Sequence, residues 1–142
     1  MLRVVRHPRI TTKGEDGRPN GSLIPIWNAH EAVLPDDRPP KQVYLTICAP
    51  RARKGPHLHL KRWGYFTCIR GNVRIVVRSG DRYEAAFSGD DHGYATIEVP
   101  AGCPALIENV GDEEAYVLNM PSPAWRPDDV DEHPVEGWAY SD

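Results

Sequence analysis

The amino-acid sequence predicts an all-β domain, a sandwich or barrel of short strands, from three observations. The chain contains 14 prolines and 12 glycines in 142 residues, and both residue types break helices and mark turns. Segments rich in β-branched and aromatic residues recur at roughly 8–12-residue spacing. No window of about 11 residues or more shows the apolar period of an amphipathic helix.

Seven segments carry the strand signal, and a glycine or proline follows closely after each. They are residues 23–27, 42–48, 65–69, 73–78, 94–99, 105–109 and 115–119. Pro25 makes the first an edge strand, since proline removes a ladder donor. The third and fourth segments are predicted to pair as a hairpin around Gly71. Residues 34–40, with three prolines, are predicted to form a loop, and the tail from Pro121 to wrap around the outside.

The length fits a single domain over residues 1–142, with an extended N-terminal segment and a Pro/Asp-rich C-terminal tail. The longest apolar runs are only a few residues long, too short to span a bilayer. Charged residues and a proline interrupt the apolar residues within positions 1–8. No signal peptide is therefore predicted, and the cytoplasm is the expected compartment. Cys48, Cys68 and Cys103 lack disulfide or zinc-knuckle spacing and are predicted to be free thiols.

Charge is unevenly distributed along the chain. Residues 51–82 contain nine Lys/Arg and one acid, Asp81, whereas residues 83–142 contain fourteen Asp/Glu and one base, Arg126. One interpretation is that each segment has a solvated outer face. The other is a basic mouth that attracts an anionic ligand such as a phosphate. Nucleic acid is disfavoured, because basic residues interleaved with exposed aromatics do not recur and the net charge is −3.

The densest cluster of chemically active side chains lies at residues 54–63 and includes two histidines. In an extended strand, side chains two residues apart point to the same face, so His57 and His59 are predicted to lie side by side. Two imidazoles on one face can ligate a metal or exchange protons near neutral pH. Two surface histidines on a loop are the alternative interpretation.

The histidine cluster resembles the first motif of the cupin superfamily, G-x(5)-H-x-H-x(4)-E-x(6)-G. His57, His59 and Gly71 stand at matching positions, whereas the first glycine is Arg51 and the metal-binding glutamate is Gly64. The resemblance implies the cupin jelly-roll barrel, the double-stranded β-helix. It makes the alternative of two unrelated surface histidines less favourable.

The second cupin motif, G-x(5)-P-x-G-x(2)-H-x(3)-N, resembles residues 93–109 with one extra residue. Its glycines, proline and asparagine fall on Gly93, Pro100, Gly102 and Asn109. Its histidine falls on Ala105. Only two of the four cupin ligand positions therefore keep a ligand, and transition metals usually take three or four side chains. No metal and no other cofactor is predicted, and recruitment of Glu108 or His92 as a third ligand is left open.

Three segments resemble the RmlC-like, nucleotide-sugar branch of the cupins, the 4-dehydrorhamnose 3,5-epimerase-like enzymes and the sugar 3,4-ketoisomerases. Residues 16–23 are similar to the D-x-R-G-x-L opening of that branch. Residues 55–59 are similar to the G-x-H-x-H of the ketoisomerases, and His57 matches the R-G-x-H of the epimerases. Residues 122–129 are similar to the Y-x-P-E tail of the epimerases. The resemblance implies a metal-independent isomerase or epimerase of a nucleoside-diphosphate 4-keto-6-deoxy sugar.

The chemistry of a 4-keto sugar suits the two histidines. Hydrogens next to a ketone are acidic, so the reaction needs a general base and an acid. The predicted catalytic residues are His57, as the base, and His59. The enolate oxygen needs a nearby cation or donor. The predicted substrate-binding residues, which include the candidates for that cation, are Arg51, Lys61, Arg62, Trp63, Tyr65 and Trp125.

The tail tyrosine that serves the epimerases as the partner acid has no counterpart, because the matching residues are Ala124 and Trp125. Tyr44, Tyr65 and Tyr116 are candidates for a replacement phenol. A single epimerisation or a ketoisomerisation is therefore favoured over a 3,5-double epimerisation. Two other functions remain open: a catalytically inert sugar- or nucleotide-binding cupin, and a metal-dependent cupin of the dioxygenase type. The resemblance also implies a homodimer that pairs through the N-terminal strands. The shortness of the apolar runs predicts no membrane partner.

Overall fold

The computed structural model describes residues 2–30 and 39–141. Within these two ranges the chain forms eleven β-strands and no helix, and so no helix that could cross a membrane. The strands are β1 Val4–Val5, β2 Ile10–Lys13, β3 Pro19–Leu23, β4 Tyr44–Cys48, β5 Arg53–His57, β6 Gly64–Arg70, β7 Asn72–Ser79, β8 Arg82–Gly89, β9 Thr96–Val99, β10 Ala105–Asn109 and β11 Ala115–Asn119. The predicted all-β fold class is confirmed.

Two antiparallel sheets face each other across the core. The first has the strand order β1-β9-β6-β11-β4 and the second β5-β10-β7-β8. Buried side chains alternate with outward ones along β11 and along most of β7, as expected of sheets with one face on the core. Val73, Ile75 and Val77 of β7 meet Ile97 and Val117 of the opposite sheet in the main apolar cluster. Strands β2 and β3 form a separate two-stranded hairpin.

Most predicted strands are present, but the first is wrong. The strands predicted at 42–48, 65–69, 73–78, 94–99, 105–109 and 115–119 correspond to β4, β6, β7, β9, β10 and β11. Of residues 23–27, only Leu23 lies in a strand. The strand in this part of the chain is β3, which begins earlier than predicted, at Pro19, and ends at Leu23. The predicted loop at 34–40 falls mostly outside the described residues.

The predicted hairpin between β6 and β7 is also wrong, because the two strands lie in opposite sheets. β6 pairs with β9 and β11, while β7 pairs with β8 and β10. Gly71 is a single-residue connection with φ 79°, and a Cβ there would lie 3.1 Å from the Ala115 Cα. The chain therefore turns from one sheet to the other instead of doubling back, and the true hairpin is β7–β8.

The C-terminal tail runs from the first sheet, past the end of the barrel, to the outer face of the second sheet, in agreement with the prediction that it wraps around the outside. It starts beside β6, where the backbones of Trp63 and Ser122 exchange two hydrogen bonds, and next pairs His133 with Leu58. It ends on the outer face of β8, where the Tyr83 ring packs against Trp138 at 5.1 Å between ring centroids. This course carries residues 123–132 past one end of the barrel.

Candidate active site

A cavity of about 340 Å³ opens at the end of the barrel that the tail crosses. Its inner wall is apolar and is formed by Phe66, Ile75, Val99, Ala105 and Ile107. Its mouth carries the ionisable groups, which come from β5 with the loop after it and from the tail. These are Lys54, His57, His59, Lys61, Arg62, Arg126, Asp129, Asp131 and Glu132. A polar mouth above an apolar wall is the usual form of a small-molecule site.

A β-bulge in β5 brings a lysine and a histidine to the same face. Lys54 pairs with Ile107 of β10 and His57 pairs with Ala105, so β5 has one residue more than its partner strand over this stretch. Gly55, at φ 107°, lies within the bulge, and a Cβ there would be 2.9 Å from the Ala105 carbonyl oxygen. Lys54 and His57 therefore both line the cavity.

The imidazole of His57 is held by a carboxylate of the tail. Its Nδ1 lies 2.6 Å from Glu132 Oε1, and the His57 side chain is 49% exposed. An ionised carboxylate only accepts hydrogen bonds, so Nδ1 carries the hydrogen and donates it. This tautomer leaves the Nε2 lone pair available as a base.

His59 lies on the same wall in a different electrostatic environment. Burial lowers its pKa to about 4, helped by the positive charge of Arg62, while Asp131 and Glu132 act in the opposite direction. At neutral pH, His59 is therefore uncharged. A neutral imidazole can still donate one hydrogen bond to a substrate oxygen.

Of the three candidate phenols, the structure places Tyr44 on the cavity wall. Its hydroxyl accepts a hydrogen bond from Asn119 Nδ2 at 2.7 Å and one from Arg62 Nη2 at 3.4 Å. Tyr65 is fully buried beside Met120, and Tyr116 lies under Arg70 with 5.2 Å between the guanidinium carbon and the ring centre. Neither Tyr65 nor Tyr116 lines the cavity.

The cations at the mouth differ in how fully the tail neutralises them. Lys61 Nζ lies 2.9 Å from Asp129, and that hydrogen bond raises the lysine pKa. Arg126 pairs with Asp128 at 2.7 Å. Within the described residues, Lys54 and Arg62 have no carboxylate within ion-pair distance. These two cations are the ones best placed to receive an anionic ligand.

The structure brings together five of the eight predicted site residues. His57, His59, Lys61, Arg62 and Trp125 line the cavity, and the Trp125 side chain is 54% exposed at the mouth.

The other three predicted residues lie elsewhere. Arg51, in the turn after β4, pairs with Asp112 at 2.9 Å on the surface. Trp63 and Tyr65 pack with Ile26 and Met120 in a second apolar cluster. The alternation of β6 explains this, because its cavity-facing residues are Gly64 and Phe66. These three residues are not part of the site proposed below.

Sequence reasoning missed Lys54 and the tail carboxylates. Lys54 stands at the arginine position of the R-G-x-H motif, so a positive charge at that position was a usable signal. Glu132 and Asp131 lie 69–75 residues from their partners in β5 and the following loop, in a segment without a motif. No local pattern could have assigned them.

The residues at the cupin metal position do not fit a transition metal. Gly64 and Ala105, which replace two ligands, line the cavity without a donor side chain, and His57 Nδ1 is bound to Glu132. Glu108 pairs with Arg53 and Arg74, and His92 stacks on Phe87, so neither joins the histidines. No group of three possible ligands is found in residues 2–30 or 39–141.

The sequence matches a known family over most of its length. Residues 31–133 match the family described as the polysaccharide biosynthesis C-terminal domain. The chain belongs to this family. A relative from Haloferax volcanii, named "Probable low-salt glycan biosynthesis epimerase Agl13", is 23% identical over 104 residues. That match covers 68% of this chain and 66% of the relative, a little under two thirds of the relative's length.

Solved structures confirm the cupin jelly-roll fold. A dTDP sugar isomerase from Desulfovibrio desulfuricans superimposes with a TM-score of 0.77 at 16% identity, covering 94% of this chain and 83% of that one. QdtA, a sugar 3,4-ketoisomerase from Thermoanaerobacterium thermosaccharolyticum in complex with TDP, gives 0.69 at 17% identity, covering 93% and 86%. The two-sheet barrel is thus the fold of these two solved proteins.

Proposed function

We propose that this family member is a metal-independent isomerase or epimerase of a nucleoside-diphosphate 4-keto-6-deoxy sugar. The observation that carries the proposal is the contact of 2.6 Å between His57 and Glu132 at the mouth of a cavity that also contains the Tyr44 phenol. A base and an acid that line one cavity are what proton transfer next to a ketone requires. The epimerase and isomerase names of the relatives support the same reaction class.

The proposed reaction begins with proton removal by His57. Its Nε2 takes the hydrogen from the carbon next to the 4-keto group, and the electron pair passes to the ketone oxygen. The neutral His59 imidazole donates a hydrogen bond that stabilises this enolate oxygen. Returning a proton to the same carbon from the opposite face inverts it. In a ketoisomerisation the proton taken from C3 is returned to C4 instead, while the C3 hydroxyl gives its proton to the C4 oxygen, so that C3 becomes the ketone and C4 the alcohol.

The diphosphate of the substrate is assigned to the two cations without ion pairs. Lys54 and Arg62 line the cavity on either side of the histidine pair along the chain. Lys61, which is held by Asp129, adds positive charge at the rim. Trp125 offers an exposed ring for stacking with the sugar or the base. The QdtA complex with TDP supports a nucleoside diphosphate as the ligand class.

Isotope exchange tests this function directly. We expect deuterium from D₂O to enter C3 or C5 of dTDP-4-keto-6-deoxyglucose when the purified protein is added. Binding without exchange would instead favour the inert sugar-binding alternative. A stoichiometric content of iron, nickel or manganese in active protein would contradict the metal-independent mechanism.

Replacing Tyr44 with phenylalanine tests whether Tyr44 acts as a general acid distinct from the base, His57. We expect product formation to fall about 100-fold, because a general acid contributes roughly 10²–10⁴-fold to such reactions. Deuterium uptake at the reacting carbon should persist, since His57 can remove and return a proton on one face. NMR of the substrate pool measures both rates together.

Tyr116→Phe is the matched control, because that ring lies on the outer face of β11 and does not line the cavity. Its rates should equal those of the wild type. Equal losses of exchange and product formation in Tyr44→Phe would contradict a separate acid role for this phenol.

We also propose that the protein is a homodimer. The edge strand β4 exposes Leu45 at 44% and Ile47 at 46% on the outer face of its sheet. The β2–β3 hairpin is exposed at all but one of its residues, and such hairpins are marginal on their own. A second copy would cover both surfaces. The cytoplasmic location stays a prediction from the sequence.

The mass in solution checks the dimer. Sedimentation at micromolar concentration should give about twice the 15.9 kDa of the chain. Leu45→Glu combined with Ile47→Glu should give the monomer mass, because each change introduces a charge into the apolar surface. A monomeric wild type would overturn the proposal.

A further inference from the structure

The carboxylate of Asp131 makes four hydrogen bonds. Oδ1 accepts from the Leu60 amide at 2.9 Å and from His133 Nε2 at 3.1 Å. Oδ2 accepts from the amides of Lys61 and Arg62, both at 2.9 Å. The side chain is only 13% exposed. Three consecutive amides directed at one carboxylate form the arrangement that binds anions in other proteins.

These bonds keep Asp131 ionised. Burial by itself would raise its pKa, but the amide hydrogen bonds from Lys61, Leu60 and Arg62, with that from His133, lower it to about 2. The carboxylate therefore bears its charge throughout the neutral pH range.

The bonds join the two segments that build the proposed site. The loop at 60–62 follows His59 and carries Lys61 and Arg62 on the cavity wall. On the tail, the residue after Asp131 is Glu132, the partner of His57. Two weaker links run alongside: the backbone pairing of Leu58 with His133, and the exposed Lys61–Asp129 ion pair.

We propose that Asp131 is a positioning residue that holds Glu132 against His57 and fixes the loop bearing Lys61 and Arg62. The expected effect of Asp131 on the reaction rate rests on the proposed function. Its effect on the position of Glu132 does not. Glu132 itself is 54% exposed and makes one polar contact in the described structure, so its position depends on the residues beside it. The Asp131 carboxylate, which accepts four hydrogen bonds, supplies that support.

The chemistry of the bonds shows why an amide cannot replace the carboxylate. In Asp131→Asn, one side-chain position becomes an NH₂ group, which donates and does not accept. It would face either the Lys61 and Arg62 amides or the Leu60 amide and His133. In the first orientation the Lys61 and Arg62 bonds are lost. In the second the Leu60 bond is lost, whereas His133 Nε2 can accept from the NH₂ group in its other tautomer. The matched control is Asp112→Asn, the same change at a surface carboxylate bonded to Arg51.

Nitrogen-15 NMR of the imidazoles tests the placement without any substrate. In the wild type, His57 should show a single neutral tautomer with hydrogen on Nδ1. Asp131→Asn should show averaged tautomer signals for His57, as should Glu132→Gln, while Asp112→Asn should keep the wild-type spectrum. An unchanged His57 spectrum in folded Asp131→Asn would overturn the proposal.

Activity provides the second readout. Deuterium exchange in Asp131→Asn should fall at least tenfold, with kcat lowered more than KM is raised, because misplacing a catalytic pair by about 1 Å can cost about 100-fold. If wild-type protein shows no exchange, the proposed function fails while the NMR result still decides the placement. If Asp131→Asn does not fold, Asp131→Glu keeps the charge but displaces the carboxylate, and the same averaged spectrum is expected. A wild-type spectrum in that variant would count against the role.

Discussion

Replacing His57 with asparagine should lower deuterium exchange into the 4-keto sugar by about 10²–10⁴-fold, the usual contribution of a general base. Asparagine can still donate a hydrogen bond to Glu132, so the tail keeps a partner at the position where Nδ1 now lies 2.6 Å from Oε1. What is lost is the Nε2 lone pair. The rate of deuterium incorporation, followed by NMR in D₂O, measures the effect.

His92→Asn is the matched control for this experiment, since His92 stacks on Phe87 at 4.6 Å between ring centres and does not line the cavity. It should keep the wild-type rate. Nucleotide binding by His57→Asn should also persist, because Lys54 and Arg62 are unchanged. Full exchange in His57→Asn would place the base elsewhere and contradict the mechanism.

The strands could be predicted from the sequence, whereas their partners could not. Alternation and β-branched residues are local signals, and they located β4, β6, β7, β10 and β11. Which strand lies beside which is a non-local property. The short connection at Gly71 is typical of a hairpin, yet β6 already has β9 and β11 on its two edges, so β7 must join the other sheet.

The site residues, like the strands, could be predicted only where the signal lies within a short stretch of sequence. The two-residue period of a strand placed His57 and His59 on one face, and the structure brings both to the cavity. The β-bulge that adds Lys54 depends on the register with β10, which the sequence does not display. Glu132 reaches His57 only because the tail returns across the barrel end.

The fold explains the uneven distribution of charge along the chain. The basic middle segment and the acidic tail meet at the cavity mouth, through Lys61 with Asp129 and His57 with Glu132. The tail thereby neutralises part of the basic rim and leaves Lys54 and Arg62 for a ligand. Under the proposed function, Lys54 and Arg62 serve the anion-binding mouth, whereas Arg51, which pairs with Asp112 on the surface, belongs to the solvated face.

Replacing Asn109 with alanine should lower the free energy of unfolding by about 3 kcal/mol, because buried groups left without partners cost about 1–3 kcal/mol each. Asn109 is 1% exposed, at the end of β10. Its Nδ2 donates to the carbonyls of Cys48, Ala49 and Glu113, and its Oδ1 accepts from the Gly111 amide at 2.9 Å. One side chain therefore joins the ends of β4 and β10 to the turn before β11.

The midpoint of urea unfolding measures this loss, at fixed protein concentration because a dimer would make stability depend on concentration. Asn20→Ala is the control. Within residues 2–30 and 39–141 the Asn20 side chain bonds only Thr12, on the exposed β2–β3 hairpin, so the change should stay within about 0.5 kcal/mol. Asn109→Asp should destabilise at least as much as Asn109→Ala, since a carboxylate oxygen would face three carbonyl oxygens. Equal midpoints for Asn109→Ala and Asn20→Ala would show that the turn holds without this side chain. A large loss would instead give Asn109 a structural role that needs no metal: its side chain closes the barrel by joining the ends of β4 and β10 to the turn before β11.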